Sequence, residues 1–167
     1  VIEFQHVKMG RGAGFYRVKM KSLGSGKVIE NSFNSGAKVE DIRVERRKYQ
    51  YLYEDGDALV FMESDTYEQI NIQKTSITNV DLLEEGEVVE VLFNTADDLP
   101  LTVDLPKNVV REITYTEPGL KGDTATNTLK PAKIATGAEI RVPLFINIGD
   151  KVKIDTESRS YVERVKS

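Results

Sequence analysis

The sequence predicts an all-β protein made of three small barrel units, and three observations carry that prediction. Short runs of β-branched and aromatic residues recur along the whole chain, separated by breaks rich in Gly, Asn and Asp. Helical periodicity is nearly absent, with only Asn79–Gly86 reading as one or two helical turns closed by a glycine. Finally, 167 residues with 40% hydrophobic content can fill packed cores, and the strands group into sets the size of five-stranded OB-type barrels. The units are placed at 1–42, 43–105 and 106–167. Units this small own little core each, so packing between neighbours is expected to matter.

The elements follow in order. Val1–Val7 is an apolar run with β character, and Phe15–Lys21 alternates. Between them lies Lys8-Met9-Gly10-Arg11-Gly12-Ala13-Gly14, three glycines at alternate positions around one arginine. Two strands joined by such a loop read as a hairpin with a permanent cation at its tip. Val28–Phe33 follows the turn signal Gly24-Ser25-Gly26, and Asn34-Ser35-Gly36 ends it. Tyr49–Tyr53 and Ala58–Met62 flank Glu54-Asp55-Gly56-Asp57 as a second hairpin. Glu68–Ile72 is a short strand, and Val88–Phe93 and Leu101–Leu105 form a further pair. Val109–Thr116, Glu139–Pro143, Lys151–Asp155 and Tyr161–Val165 supply the last unit. Val1 already stands inside a strand pattern, so the natural protein is expected to begin earlier.

Composition narrows the classes. Cysteine is absent, which excludes disulfides and thiolate metal sites and fits the cytosol. No run approaches the ~20 apolar residues of a membrane span, and no signal-peptide pattern opens the chain. Net charge is −4, but its distribution is uneven. Residues 1–50 hold 11 basic and 5 acidic side chains, 51–120 hold 3 and 16, and 121–167 hold 9 and 6. Basic ends around an acidic middle suit a polyanion touched in two places, although solvated surface charge gives the same counts.

Catalytic chemistry finds little support. His6 is the only histidine and lies mid-strand, so no nucleophile–histidine–carboxylate set can be assembled. Asp81, Glu84, Glu85, Glu87 and Glu90 lack calcium-loop spacing and read as a solvated acidic face. The glycine loop has neither dinucleotide-fingerprint spacing nor the lysine–hydroxyl pair of a phosphate loop. Neither cofactor nor metal is expected. Two loops remain as contact candidates: the tip with Arg11, and Glu117-Pro118-Gly119-Leu120-Lys121-Gly122-Asp123-Thr124-Ala125-Thr126-Asn127. OB barrels commonly hold nucleic acid with their loops. Taken alone, each loop also admits a plainer reading as an exposed connection.

Together these residues resemble bacterial elongation factor P. Glu3-Phe4-Gln5-His6-Val7-Lys8 leading into a basic glycine loop is similar to that family's first domain. Tyr51-Leu52-Tyr53, Phe61-Met62 and Thr66-Tyr67-Glu68-Gln69 resemble its second. Glu117–Thr126, Val142-Pro143-Leu144-Phe145-Ile146 and the ending Tyr161-Val162-Glu163-Arg164-Val165 resemble its third. The resemblance implies a KOW-type (SH3-like) domain, here lacking about one strand pair before Val1, then two OB-type domains, in an L-shaped, tRNA-like arrangement. It implies a monomeric, cytoplasmic translation factor bound to both ribosomal subunits between the peptidyl and exit sites, beside peptidyl-tRNA, that relieves stalling at consecutive prolines. The family is related to eukaryotic initiation factor 5A, which carries hypusine at the corresponding tip.

By that resemblance Arg11 is the tip residue facing the peptidyl-transferase centre, with Lys8, Gly10, Gly12 and Gly14 shaping its loop. Gly122, Asp123 and Thr124 face the exit site or small subunit, joined by Tyr161 and Arg164 as weaker contacts. This chain departs from the family in two places. Met9 stands where relatives have proline before the tip glycine, which removes a rigid turn. Arg11 stands where many have lysine, and arginine cannot simply take the same acylation. Some relatives carry rhamnose on an arginine tip, but with flanks other than Gly10 and Gly12. Arg11 is therefore a candidate for modification by a tip-modifying enzyme, with the unmodified state left open. The alternative is a general single-stranded RNA-binding OB protein without a ribosomal role; a third is an enzyme using the acidic cluster.

Overall fold

The computed structural model describes residues 1–8, 10–119 and 128–166. They form thirteen strands and two short 3-10 turns. The chain divides into two compact units, Val1–Arg47 with Val91–Val103, and Lys48–Glu90 with Asp104–Ser167.

The first unit holds β1 (Glu3–Val7), β2 (Phe15–Lys21) and β3 (Val28–Asn34), an antiparallel sheet in that order. Register runs from Glu3↔Lys19 to Val7↔Phe15, confirming the tip hairpin as a pair of bonded strands. Three of its rings meet on one face: the His6 ring stacks on Tyr16 at 4.6 Å, and Phe4 lies 6.5 Å from the Tyr16 ring. Elsewhere in this unit Arg47 covers the Phe93 ring at 4.3 Å while donating to Asp98 at 2.7 Å and Glu45 at 3.2 Å.

The middle strands are β4 (Val44–Asp55), β5 (Ala58–Glu63), β6 (Gln69–Gln73), β7 (Val88–Asn94) and β8 (Leu99–Asp104), in the order β6-β5-β4-β7-β8. The β4–β5 turn needs a glycine, because Gly56 sits at φ +59°. Asn79–Gly86 was expected to hold helical turns; it contains a single 3-10 turn, Val80–Leu82. Asn79, left-handed at φ 56°, starts the turn, and extended Leu83 ends it before an α-helix can propagate.

The last strands are β9 (Asn108–Thr116), β10 (Leu129–Ile134), β11 (Glu139–Pro143), β12 (Lys151–Asp155) and β13 (Ser160–Val165). They close into a barrel of order β10-β11-β13-β12-β9, with β11 and β13 parallel. Inward residues repeat at period two: Val109, Arg111 and Ile113 on β9, Lys130, Ala132 and Ile134 on β10, Ile140 and Val142 on β11. β10 was not anticipated, because Pro131 stands mid-strand and proline normally marks an edge or a break. It is tolerated because backbone pairing with β9 begins one residue later, at Ala132↔Thr116. The Thr116 hydroxyl instead donates to the Pro131 carbonyl at 2.9 Å. Leu82, from the 3-10 turn before β7, is fully buried in this barrel's core cluster. Burying such a side chain contributes about 1.5–3 kcal/mol, so the acidic segment is held by the last barrel.

Candidate functional site

The tip loop spans the residues after the Val7↔Phe15 pair opens. Lys8, Gly10, Arg11 and Gly12 are exposed and Gly14 is half-buried. Gly10 sits at φ +50° in open space, so glycine there serves backbone conformation rather than packing. Gly14 has the opposite reason. A Cβ there would lie 2.6 Å from His6 Nε2 and 3.2 Å from the Val7 carbonyl oxygen. The stacked His6–Tyr16 pair therefore abuts the second stem of the loop, and only glycine fits beside it. Arg11 has no ion-pair or hydrogen-bond partner among the described residues. Chemically the loop is an exposed guanidinium on a narrow stem, suited to phosphate, ribose or carbonyl groups but carrying no base or nucleophile. Met9, expected to loosen this turn, lies outside the described residues.

The second group of sequence candidates divides. Gly122, Asp123 and Thr124 lie outside the described residues. Of the loop Glu117–Asn127 that contains them, Gly119 is described, and an added Cβ there would meet the Leu144 carbonyl oxygen at 2.8 Å. Tyr161 is half-buried and packs against the core of the last barrel. Arg164 is exposed on β13, its guanidinium 5.7 Å from the Phe145 ring centre and 3.9 Å from Asp150.

The acidic cluster is not the free solvated face that the sequence suggested. Arg111, 4% exposed at an inward position of β9, donates to the Leu82 carbonyl at 2.7 and 3.2 Å. It also reaches Glu87 at 2.6 Å and Glu84 at 3.4 Å. Arg159 grips Asp81 through both oxygens at 2.6 and 2.8 Å, and its hydrogen bonds hold the Asp81 carboxyl below the usual carboxylate range. Asn79 donates to the Thr156 carbonyl at 2.7 Å, and Thr136 to the Asp81 carbonyl at 2.6 Å. Segment 79–87 is thus clasped to the last barrel, and three of its acids serve that clasp. Sequence reasoning passed over Arg111 and Arg159. The available signal for Arg111 was its place between Val109 and Ile113 in strand alternation, where an arginine must face inward and requires buried acceptors.

A cleft of about 570 Å³ beside this clasp is lined by Tyr51, Glu54, Lys74, Glu84 and Glu85 among others. Burial, then Glu85 and Glu54, push the Tyr51 phenol above its ordinary value. Lys74 already pairs with Glu54. Among the described residues no group of three His, Asp or Glu side chains is arranged to hold a metal. Nor is any helix among them long and apolar enough to cross a membrane.

The described residues present an exposed basic tip loop on a three-stranded sheet and a closed five-stranded barrel, features of the class of small-barrel proteins that meet polyanions. Three family descriptions match in series: the elongation factor P KOW-like domain over residues 1–39, its OB domain over 44–103, and the elongation factor P C-terminal region over 109–164. The elongation factor P of Flavobacterium psychrophilum is 54% identical over 166 residues, covering 99% of this chain and 89% of the relative. That of Flavobacterium johnsoniae is 55% identical, with 99% and 88% covered. Elongation factor P 1 of Porphyromonas gingivalis is 51% identical over the same shares. The chain belongs to the elongation factor P family: an all-β translation elongation factor with a KOW-like domain and OB domains.

Proposed function

We propose that this factor binds the ribosome between the peptidyl and exit sites and steadies peptidyl-tRNA, so that peptide bonds form at consecutive prolines. The observation that carries the reading is Arg11, exposed on a glycine stem in a chain of this family. Proline fixes its own φ and makes a poorly oriented reactant. The ribosome performs the chemistry, and the factor supplies order. Holding the acceptor end in a reactive geometry lowers an entropic barrier, and each ~1.4 kcal/mol removed is tenfold in rate. Arg11 braces the acceptor-end phosphates and sugars, with Lys8 adding charge behind it. Gly10, Gly12 and Gly14 keep the stem slender. Gly122, Asp123 and Thr124, with Tyr161 and Arg164, meet the exit site or small subunit. The working boundaries are 1–42, 43–105 and 106–167, and the factor acts as a monomer. Arg11 is also the position at which a tip-modifying enzyme would act.

The test is synthesis of a Pro-Pro-Pro reporter by reconstituted ribosomes. The parent raises full-length product. Arg11→Ala abolishes most of that gain while leaving the unfolding midpoint within about 0.5 kcal/mol of the parent, because the side chain is solvated. Equal rescue by both removes the tip from the mechanism. Salt-sensitive binding to many single strands without rescue supports the general RNA-binding alternative. Intact mass of protein from its native host reads the state of Arg11.

A further inference from the structure

The last barrel has two unlike ends. β11 and β13 run parallel, and both begin at the clasp: Arg159 bonds Asp81 and the Glu139 carbonyl, and Thr136 bonds the Asp81 carbonyl. Both therefore end at the opposite end of the barrel. There the chain turns after Pro143. Ile146, wholly buried, plugs the core and donates to the Pro143 carbonyl at 3.1 Å. The Asn147 amide donates to the Asp150 carboxylate at 2.8 Å, which closes the turn. Fixing Ile146 inward leaves its neighbour Phe145 outside, 58% exposed, with Ile148 at 61%. The Arg164 guanidinium lies over the Phe145 ring at 5.7 Å and is held near it by Asp150 at 3.9 Å.

We infer that Phe145 is a stacking platform for an unpaired RNA base, with Arg164 beside it to take the neighbouring phosphate. With Arg164 over one side of it, the ring is still more than half exposed, and an exposed aromatic ring beside a guanidinium is the combination that captures splayed bases from single strands. The turn is closed by its own hydrogen bonds and by buried Ile146, which lowers the ordering needed on binding. The occupant is RNA rather than protein because the ring is flanked by a cation whose contact with Asp150 is long, at 3.9 Å, and belongs to a stretch of net positive charge (residues 121–167). The inference rests on the ribosomal reading only for which RNA is met.

The chain holds no tryptophan, so Phe145→Trp places a single tryptophan at the platform, excited selectively beyond the absorption of the seven tyrosines. The full chain is titrated at fixed ionic strength with hexaadenylate and, separately, with linear polyphosphate, which carries charge but no bases. Hexaadenylate is expected to quench the emission at least twofold and polyphosphate to leave it unchanged. Adding Arg164→Ala raises the half-quench concentration about fivefold. No quench by hexaadenylate, or equal quench by polyphosphate, overturns the platform. On ribosomes, a photocrosslinking residue at position 145 should label RNA; labelling confined to protein likewise overturns it. The two readings separate cleanly. Quench without Pro-Pro-Pro rescue by the parent keeps the platform and sinks the elongation mechanism, whereas rescue without quench does the reverse.

Discussion

At the scale of single residues, one glycine type serves two unrelated needs in one loop. Gly10 is required by its left-handed backbone, Gly14 by the volume that His6 occupies. Gly14→Ala must push the His6 ring off Tyr16 and press on the Val7 carbonyl, so it should destabilise by about 1–3 kcal/mol. Urea melts of a Gly14→Ala, His6→Ala cycle check this. In the His6→Ala background most of the cost should vanish, leaving the milder approach to the Val7 carbonyl. Spacing showed a glycine loop, but only the fold shows which glycine is a matter of φ and which of space. The reason is that His6 and Gly14 meet only once register Val7↔Phe15 is set.

At the scale of elements, segment 79–87 looks in sequence like a disposable acidic run and is in fact a strap. Its Leu82 belongs to another barrel's core, and its Asp81 answers Arg159 across the fold. Asp81 titrates below the ordinary carboxylate range, first because Arg159 hydrogen-bonds its charged form. The folded state therefore binds that proton less readily than the unfolded chain does. The resulting stability is complete above the unfolded carboxylate value near ~4 and is lost as pH falls through the folded value. Asp81→Asn should accordingly lower the melting temperature at neutral pH, and the gap to the parent should close in acid below that point. The pair is part-exposed, so the effect is modest and shrinks with salt. A gap that persists unchanged at the lowest pH would show that lost packing, not charge, is responsible.

At the scale of the molecule, the unit formed by 48–90 and 104–167 has little reason to unfold in pieces. Arg111 is the keystone: a buried guanidinium that meets the Leu82 carbonyl, Glu84 and Glu87 together. Removing it leaves the buried Leu82 carbonyl without its donor, while the part-exposed Glu84 and Glu87 turn to water, so Arg111→Ala should cost about 1–3 kcal/mol. Guanidinium unfolding followed by near-UV signal and by far-UV signal should coincide in the parent. In Arg111→Ala the midpoint should fall, and the two probes should separate as segment 79–87 releases before the barrel. The opposite charges of middle and end stretches follow the same logic. Arg111 offsets Glu84 and Glu87 within the middle stretch itself, and Arg159 of the end stretch offsets Asp81, so counts along the chain overstate the free charge available to a partner.

The sequence by itself determined the all-β class, most strands to within a residue or two, the tip hairpin with Arg11, and the family. These are local properties: alternation, turn chemistry and contiguous motifs survive being read one window at a time. Tertiary structure alone decided the rest. It placed β10 despite Pro131, because pairing with β9 begins only at Ala132. It paired Arg111 and Arg159 with acids up to 78 residues away, and it turned Phe145 outward by burying Ile146. Each of these depends on which distant segment arrives as neighbour, and a chain's local pattern states its own preferred conformation without naming what will pack against it.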